Sequence, residues 1–233
     1  MPSYVFIIGN AERSQEQLDF IARFIKSHPN VITAALDTAI LELQNWPFKP
    51  DHYCDLEMNV NHDHRFPEGD TLLTPVYKTI LKTAQENPQM LFHLAKWLEQ
   101  KRHWEKNFRF YHLYHLGVKE NLKNAKAGKP PPHGLYRFSD SGNTSCGLML
   151  QLHHPTFLIL IGCKGFWSEI EWTKSNKGPI NFRMWNQWNQ MAKEGWNTLK
   201  EYAENAKFQT KILNASLVTT IECFEKIKLK ELA

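Results

Sequence analysis

The first part of the chain alternates short apolar runs with an amphipathic stretch. The apolar run at residues 4–8 ends at a Gly-Asn pair, which is typical of a buried strand and a turn. Ser14 and Gln17 have capping-box spacing, and the apolar positions that follow recur at helical intervals until Pro29. The run at 31–36, which is β-branched at its start, completes a predicted β-α-β unit with parallel strands.

Helical periodicity dominates the middle of the chain. A Thr-Pro pair at 74–75 and an Asn-Pro pair at 87–88 each place proline at the first position of a predicted helix. Aromatic and apolar residues then recur at alternating steps of four and three over 104–122, which predicts a third helix with a buried seam. The run Pro130–Pro132 ends this helical region.

The remainder combines short apolar segments with one long amphipathic stretch. Clusters of Ser, Asp, Gly and Asn separate the apolar segments, so they predict strands of an antiparallel sheet, at 134–138, 147–152 and 156–163. Tryptophans at helical spacing predict a long helix over 181–207, and alternation predicts a final strand at 213–223.

These elements together predict an α+β fold. It has a short N-terminal β-α-β element, a helical middle, and a C-terminal mainly antiparallel sheet with a long Trp-rich helix. We expect residues 1–233 to form a single compact domain, with a candidate sub-boundary at Pro130–Pro132. The composition, 42% hydrophobic and 22% charged, excludes general disorder.

Targeting signals and cysteine spacing bear on location. No apolar stretch approaches the roughly 18 residues that a spanning helix needs, so no membrane partner is expected. The N-terminal apolar run lacks a preceding basic region, and the four cysteines form no CxxC pair. We therefore expect a cytoplasmic protein, or one exported by a route that needs no signal peptide.

The charge distribution indicates an anionic partner. The net charge is only +4, but residues 78–129 carry 11 basic and 4 acidic side chains interleaved with aromatic rings. Such a surface can neutralise phosphates and stack bases, so nucleic acid or another anionic partner is predicted for this block. The alternative is a set of amphipathic helices with aromatic cores and basic solvent faces.

A candidate metal site follows from the polar pattern at residues 52–64. If this segment is a strand, Asp55 and Glu57 share one face, and His62 and His64 follow at a turn. Carboxylate and imidazole ligands suit Zn, Mn or Fe, and carboxylate-rich sites suit Mg. The alternative is an edge strand with a solvated polar face and a His-rich turn.

A second candidate site lies nearer the C-terminus. Lys164 follows a predicted buried strand, and Glu169 and Glu171 come shortly after it. A lysine and acids around a central strand can polarise a phosphate and position a metal ion. With the metal cluster, this arrangement predicts a metal-assisted hydrolase or nuclease-like enzyme that acts on a phosphate-bearing substrate.

The same region allows a different enzyme class. Arg137, the Thr144-Ser145 pair and Glu169-x-Glu171 resemble the Arg, Ser-Thr-Ser and ExE elements of mono-ADP-ribosyltransferases. The resemblance implies an NAD-using transferase in which Arg137 and the serine hold NAD and Glu171 stabilises the ribosyl cation. Because no motif is complete, a non-catalytic binding or interaction protein is the third hypothesis.

Overall fold

The computed structural model describes residues 2–56, 75–101, 104–165, 182–205 and 208–232. Within these ranges, eight strands form one sheet in the order β10-β9-β8-β1-β2-β3-β4-β5, and β6 and β7 form a separate two-stranded sheet. Their bounds are β1 Tyr4–Ile8, β2 Val31–Leu36, β3 His52–Asp55, β4 Leu91–Ala95, β5 Phe108–Tyr111, β6 Leu113–His115, β7 Leu135–Arg137, β8 Phe157–Ile161, β9 Lys211–Asn214 and β10 Glu225–Lys226.

Helices connect the strands. The α-helices are α1 Gln15–Ser27, α2 Pro75–Glu86, α3 Lys119–Lys126, α4 Ser141–His153 and α5 Phe182–Glu204. Short 3-10 helices span Asp37–Asn45, Lys96–Lys101 and Leu229–Leu232. Among the helices described, none is long and apolar enough to cross a membrane.

All neighbouring strands of both sheets run parallel. The chain moves outward from β1 to β5, then returns to β8 on the other side of β1 and continues outward to β10. The strand order therefore reverses between β1 and β8, as in doubly wound, Rossmann-like α/β folds.

The large sheet is buried on both faces. In β1, Tyr4, Phe6 and Ile8 belong to the core shared with α1 and α2, whereas Val5 and Ile7 belong to the core shared with α4 and α5. All five positions of β1 are buried. Strands covered by helices on both sides carry continuous apolar runs, which explains the uninterrupted sequence of β1.

Several predicted elements are confirmed. The β1-α1-β2 unit is parallel, and α1 begins with the predicted capping box. The Gln17 backbone N–H donates to Ser14 Oγ at 3.2 Å, and the Ser14 N–H donates to Gln17 Oε1 at 3.1 Å. Helix α2 and the long helix α5 also lie where the periodicity places them.

The predicted α+β fold with a C-terminal antiparallel sheet is wrong. The segment 147–152 lies inside helix α4, and β8 pairs in parallel with β1 and β9. Helix α4 is buried at nine positions from Ser141 to Leu150, so it shows no amphipathic stripe. A short apolar run buried on every side cannot be assigned to helix or strand from periodicity.

The predicted helices in the region 87–122 are also wrong in large part. Strand β4 replaces the helix predicted after the Asn-Pro pair, and the aromatic seam is divided among β5, β6 and α3. The stretch Phe108–Tyr111 fits the two-residue period of a strand as well as a helical seam. Phe108 and Phe110 lie on the same side of the strand, where both rings contact the ring of Trp104. Pairing with β4 selects the strand.

Candidate functional site

The loops that follow β1 and β8 meet where the strand order reverses. The Gly9 N–H donates to the Ile161 carbonyl at 2.8 Å, and the Ala11 N–H donates to the Gly162 carbonyl at 2.9 Å. A Cβ on Gly9 would lie 2.4 Å from the Gly162 oxygen, and Gly162 has a φ of +60°. Both positions therefore require glycine. We call the side of the sheet where the strands end the carboxyl edge.

The Arg13 side chain braces this first loop. Its Nη1 donates to the carbonyl oxygens of Gly9 at 2.7 Å and Ala11 at 3.2 Å. Its guanidinium also pairs with Glu42 and lies 5.2 Å from the centre of the Trp46 ring. The guanidinium is thus engaged by protein groups, and its contacts fix the shape of the β1–α1 turn.

Helix α4 begins at the carboxyl edge and packs across β1, β2 and β3. Asp140 caps it: Asp140 Oδ1 accepts from the Asn143 N–H at 2.9 Å, and the Asp140 N–H donates to Asn143 Oδ1 at 3.0 Å. A helix N-terminus presents backbone N–H groups and the positive end of the helix dipole. The start of α4 therefore favours a negatively charged group at this edge.

Two serine hydroxyls in the first turns of α4 are buried. Ser141 Oγ lies beside the Asp37 carboxyl, and Ser145 Oγ lies beside the Cys54 thiol. Ser141 is 6% exposed and Ser145 is fully buried. Buried hydroxyls are almost always hydrogen-bonded in folded proteins, and Asp37 and Cys54 are the neighbouring groups that can serve as partners here.

Two acidic residues lie beside these serines, at the ends of β2 and β3. The Asp37 carboxyl is close to the side chains of Asp55 and Ser141. The Tyr53 hydroxyl lies 3.0 Å from the Asp37 carbonyl oxygen and 3.3 Å from Asp55 Oδ2. Desolvation raises the pKa of Asp37 to about 6, although both neighbouring side chains lower it. Asp37 also has a φ of +47°, in the left-handed region.

The structure brings two predicted site residues to this edge. Asp55 is buried at the end of β3, a central strand between β2 and β4, so the alternative of a solvated edge strand is wrong. Lys164 follows β8, and its carbonyl accepts from the Thr220 N–H at 2.7 Å. Arg137 lies on β7 in the small sheet, with Nη1 3.4 Å from His115 Nε2.

The remaining predicted residues lie outside the described ranges: Glu57, His62, His64, Glu169 and Glu171. The metal site that uses three of them stays a prediction. Among the described residues, no group of three or more His, Cys, Asp or Glu side chains could hold a metal ion. The metal-assisted hydrolase therefore gains no support from the described part of the chain.

Sequence reasoning missed Asp37, Ser141 and the role of Gly9 as a contact point. Asp37 was given no role in a site from the sequence, and Ser141 was placed between two predicted strands. One signal for Asp37 was available, because a polar residue that directly follows a buried strand lies at the carboxyl edge of a parallel sheet. Ser141 had no comparable signal, since its burial depends on the packing of α4.

No family model matches the sequence, and no curated protein matches it either. Among solved structures, the chain is similar to the MAf glycosyltransferase from Magnetospirillum magneticum AMB-1, with a TM-score of 0.54 and 14% sequence identity. The similarity covers 100% of this chain and 34% of the glycosyltransferase, so the chain spans about a third of that protein's length. At this identity the comparison shows a shared fold.

Proposed function

We propose that this chain is a glycosyltransferase-type transferase that binds a phosphate-bearing sugar donor at the carboxyl edge. The observation that carries the proposal is the start of α4, where two buried serine hydroxyls lie beside Asp37 after β2 and Cys54 of β3. The capping residue Asp140 lies near Cys163, which follows β8. In open α/β sheets, ligands bind outside the carboxyl ends of the strands where the strand order reverses. The solved structure with a similar fold is named a glycosyltransferase.

A phosphate leaving group fits the start of α4. Transfer of a sugar from a nucleotide donor breaks the bond between the sugar carbon and a phosphate oxygen, and negative charge grows on that oxygen. Backbone N–H groups and the dipole at a helix N-terminus stabilise such charge without reorganising. The Ser141 hydroxyl lies in the first turn of α4 and can donate to the same phosphate.

The two acids suit the hydroxyl groups of a sugar. In dinucleotide-binding folds, an acidic residue at the end of the second strand accepts hydrogen bonds from ribose hydroxyls. Asp37 occupies that place after β2, and Asp55 occupies the corresponding place after β3. Their carboxyl oxygens can accept from a ribose or from the transferred sugar, while the phosphate lies nearer the start of α4.

The NAD-using transferase is less well supported by the geometry. Its Arg137 lies on the small sheet, and its Ser145 lies on the second turn of α4 beside Cys54. Glu171 is outside the described residues. We therefore include NAD as one member of the donor panel tested below.

Binding is tested by thermal shift and calorimetry with CMP, UDP, GDP, their sugar conjugates and NAD. At least one nucleotide sugar is expected to bind and raise the melting temperature. The Ser141→Ala variant should bind it about ten- to a hundredfold more weakly, because hydrogen bonds to charged groups contribute about 1.5–3 kcal/mol. The matched control is Ser27→Ala, because Ser27 is the last residue of α1 and the carboxyl edge lies at the first. This variant should bind the nucleotide sugar like the wild type.

Two results would contradict the proposal. If no compound of the panel binds, or if Ser141→Ala and the wild type bind equally, the start of α4 is not the donor site. If a nucleotide sugar binds but the wild type releases no nucleotide from it in the presence of acceptor alcohols or water, the chain is a non-catalytic binding protein.

A further inference from the structure

Three histidines form a buried chain of contacts at the other end of α4. His52 begins β3, His93 lies in the middle of β4, and His153 is the last residue of α4. His52 Nδ1 is 2.8 Å from His93 Nε2, and His52 Nε2 is 2.9 Å from His153 Nε2. His93 Nδ1 is 2.9 Å from the Tyr111 hydroxyl on β5. His52 and His93 are 4% and 1% exposed.

Counting hydrogens shows which protonation state fits these contacts. A neutral imidazole has one N–H donor and one acceptor nitrogen, so three neutral rings and a hydroxyl can place one hydrogen in each of the three contacts. A single extra proton on His52 also leaves every contact with one hydrogen. A second extra proton, on His93 or His153, turns two N–H groups toward each other across less than 3 Å.

The groups around His93 do not favour a protonated ring, whereas Asp51 favours protonation of His153. His93 faces Arg109 and Tyr111 of β5, and both Arg109 and the other two histidines lower its pKa after the dominant effect of burial. Cys54 of β3 lies near Tyr111. At the other end of the cluster, burial lowers the pKa of His153, Asp51 raises it and His154 lowers it.

The acid at that end is already engaged. Asp51 Oδ2 accepts from the Thr33 N–H at 2.8 Å and from the Thr33 hydroxyl at 2.9 Å. Burial lowers the pKa of His52 to about 4 and that of His93 to about 3. Burial also lowers the pKa of the half-buried His153.

We propose that His52, His93 and His153 form a pH-sensitive clamp that holds the C-terminal end of α4 against β3 and β4. With neutral rings the contacts are complete and α4 is held. On acidification, protons enter from the half-buried His153, and the second proton breaks a contact and releases the end of the helix. This inference does not depend on the proposed function, because it concerns the protein without a ligand.

The clamp has a consequence for the candidate site. The same helix carries Ser141 in its first turn and His153 in its last. Release of the last turn therefore loosens the element that positions the serine hydroxyls at the carboxyl edge. Acid conditions are expected to weaken the packing of α4 before the central strands β1 and β8 open.

Hydrogen–deuterium exchange of the whole chain tests the clamp. Exchange is compared at pH 7.5 and pH 5.0, after correction for the intrinsic pH dependence of amide exchange. Protection of the α4 peptide 147–153 should fall about thirtyfold more than that of the β1 peptide 4–8, since one additional bound proton changes an opening equilibrium about tenfold per pH unit between about 6.5 and 5.0. In His153→Gln, which keeps a donor and an acceptor but does not titrate, this additional loss should disappear.

The matched control is His112→Gln, because His112 is exposed and outside the cluster. It should behave like the wild type. Equal loss of protection in both wild-type peptides, or an additional loss that persists in His153→Gln, would overturn the clamp.

A second measurement needs no variant. Nitrogen-15 spectra of the histidine rings in the wild type should show His52 and His93 neutral at pH 7.5, and should change together with the α4 amide signals on acidification. The proposed clamp would also be overturned if the histidine rings titrate near 6.5, the ordinary histidine pKa, while the α4 amide signals stay constant.

Discussion

Phe108 connects the edge strand β5 to the core. Its ring lies 5.0 Å from that of Phe92 and 4.8 Å from that of Trp104, between ring centres, and the residue is 6% exposed. Truncation of a buried aromatic ring removes both transfer energy and packing contacts. We expect Phe108→Ala to lower the free energy of unfolding by about 3–5 kcal/mol, measured by urea denaturation. A loss below about 1 kcal/mol would show that β5 does not pack on β4.

Single residues differ in how far their roles can be predicted. Asp55 was identified from the alternating pattern at residues 52–64, and Lys164 because it follows an apolar run. Residues that end or follow a strand reach the carboxyl edge whatever the neighbouring strands are. Asp37 obeys the same rule, since it directly follows β2. The role of Ser141 depends on the burial of α4 by other elements, which no local pattern records.

Helices with one solvent-facing side were predicted better than the largely buried helix. Helices α1, α2 and α5 show an apolar stripe, whereas α4 is buried at nine positions from Ser141 to Leu150. The direction of a strand could not be predicted from local patterns either. Strand β8 runs parallel to β1 because a long connection returns the chain to the same end of the sheet before β8 begins. The antiparallel prediction treated neighbours in sequence as neighbours in space.

The contact between α5 and the start of α4 depends on a glycine. A Cβ on Gly195 would lie 2.3 Å from both the Phe138 carbonyl oxygen and Ser139 Oγ. Alanine favours a helix interior over glycine by about 1 kcal/mol, but here it would force the two elements apart. We expect Gly195→Ala to destabilise the protein by about 1–3 kcal/mol, as overpacking does, measured as a lower urea midpoint.

A matched control for this variant is Gly117→Ala. A Cβ at Gly117 meets nothing within 4 Å. Its effect should stay within about 0.5 kcal/mol, as for other surface changes. If Gly195→Ala is at least as stable as Gly117→Ala, the gain in helix propensity outweighs the close contact. Helix α5 then does not pack tightly against the start of α4.

The two ends of α4 give the whole molecule its functional organisation. The N-terminal end contributes the buried serines to the carboxyl edge, where the order of strands reverses. The C-terminal end carries His153, which joins the helix to β3 and β4 through His52. A single helix thus lies between the candidate ligand site at one end and the three histidines at the other.

The stability of the whole protein should depend on pH. Unfolded histidines titrate near 6.5, whereas burial lowers the pKa of His52 to about 4 and that of His93 to about 3. Between these values the unfolded chain binds more protons, so the free energy of unfolding falls as the pH falls below about 6.5. Each of these two buried rings contributes a slope of up to about 1.4 kcal/mol per pH unit.

Asp37 should act in the opposite direction over part of the same range. Burial raises its pKa from 3.8 to about 6, so the folded state binds more protons between these values and gains stability as the pH falls through them. Asp37→Asn removes this opposing contribution and suits the left-handed backbone at that position. Urea denaturation at pH 7.5, 6.5, 5.5 and 4.5 should therefore show a falling free energy of unfolding for the wild type and a steeper fall for Asp37→Asn below pH 6. A wild-type stability that is constant or rises from pH 6.5 to 4.5 would show that the histidines accept protons in the folded state.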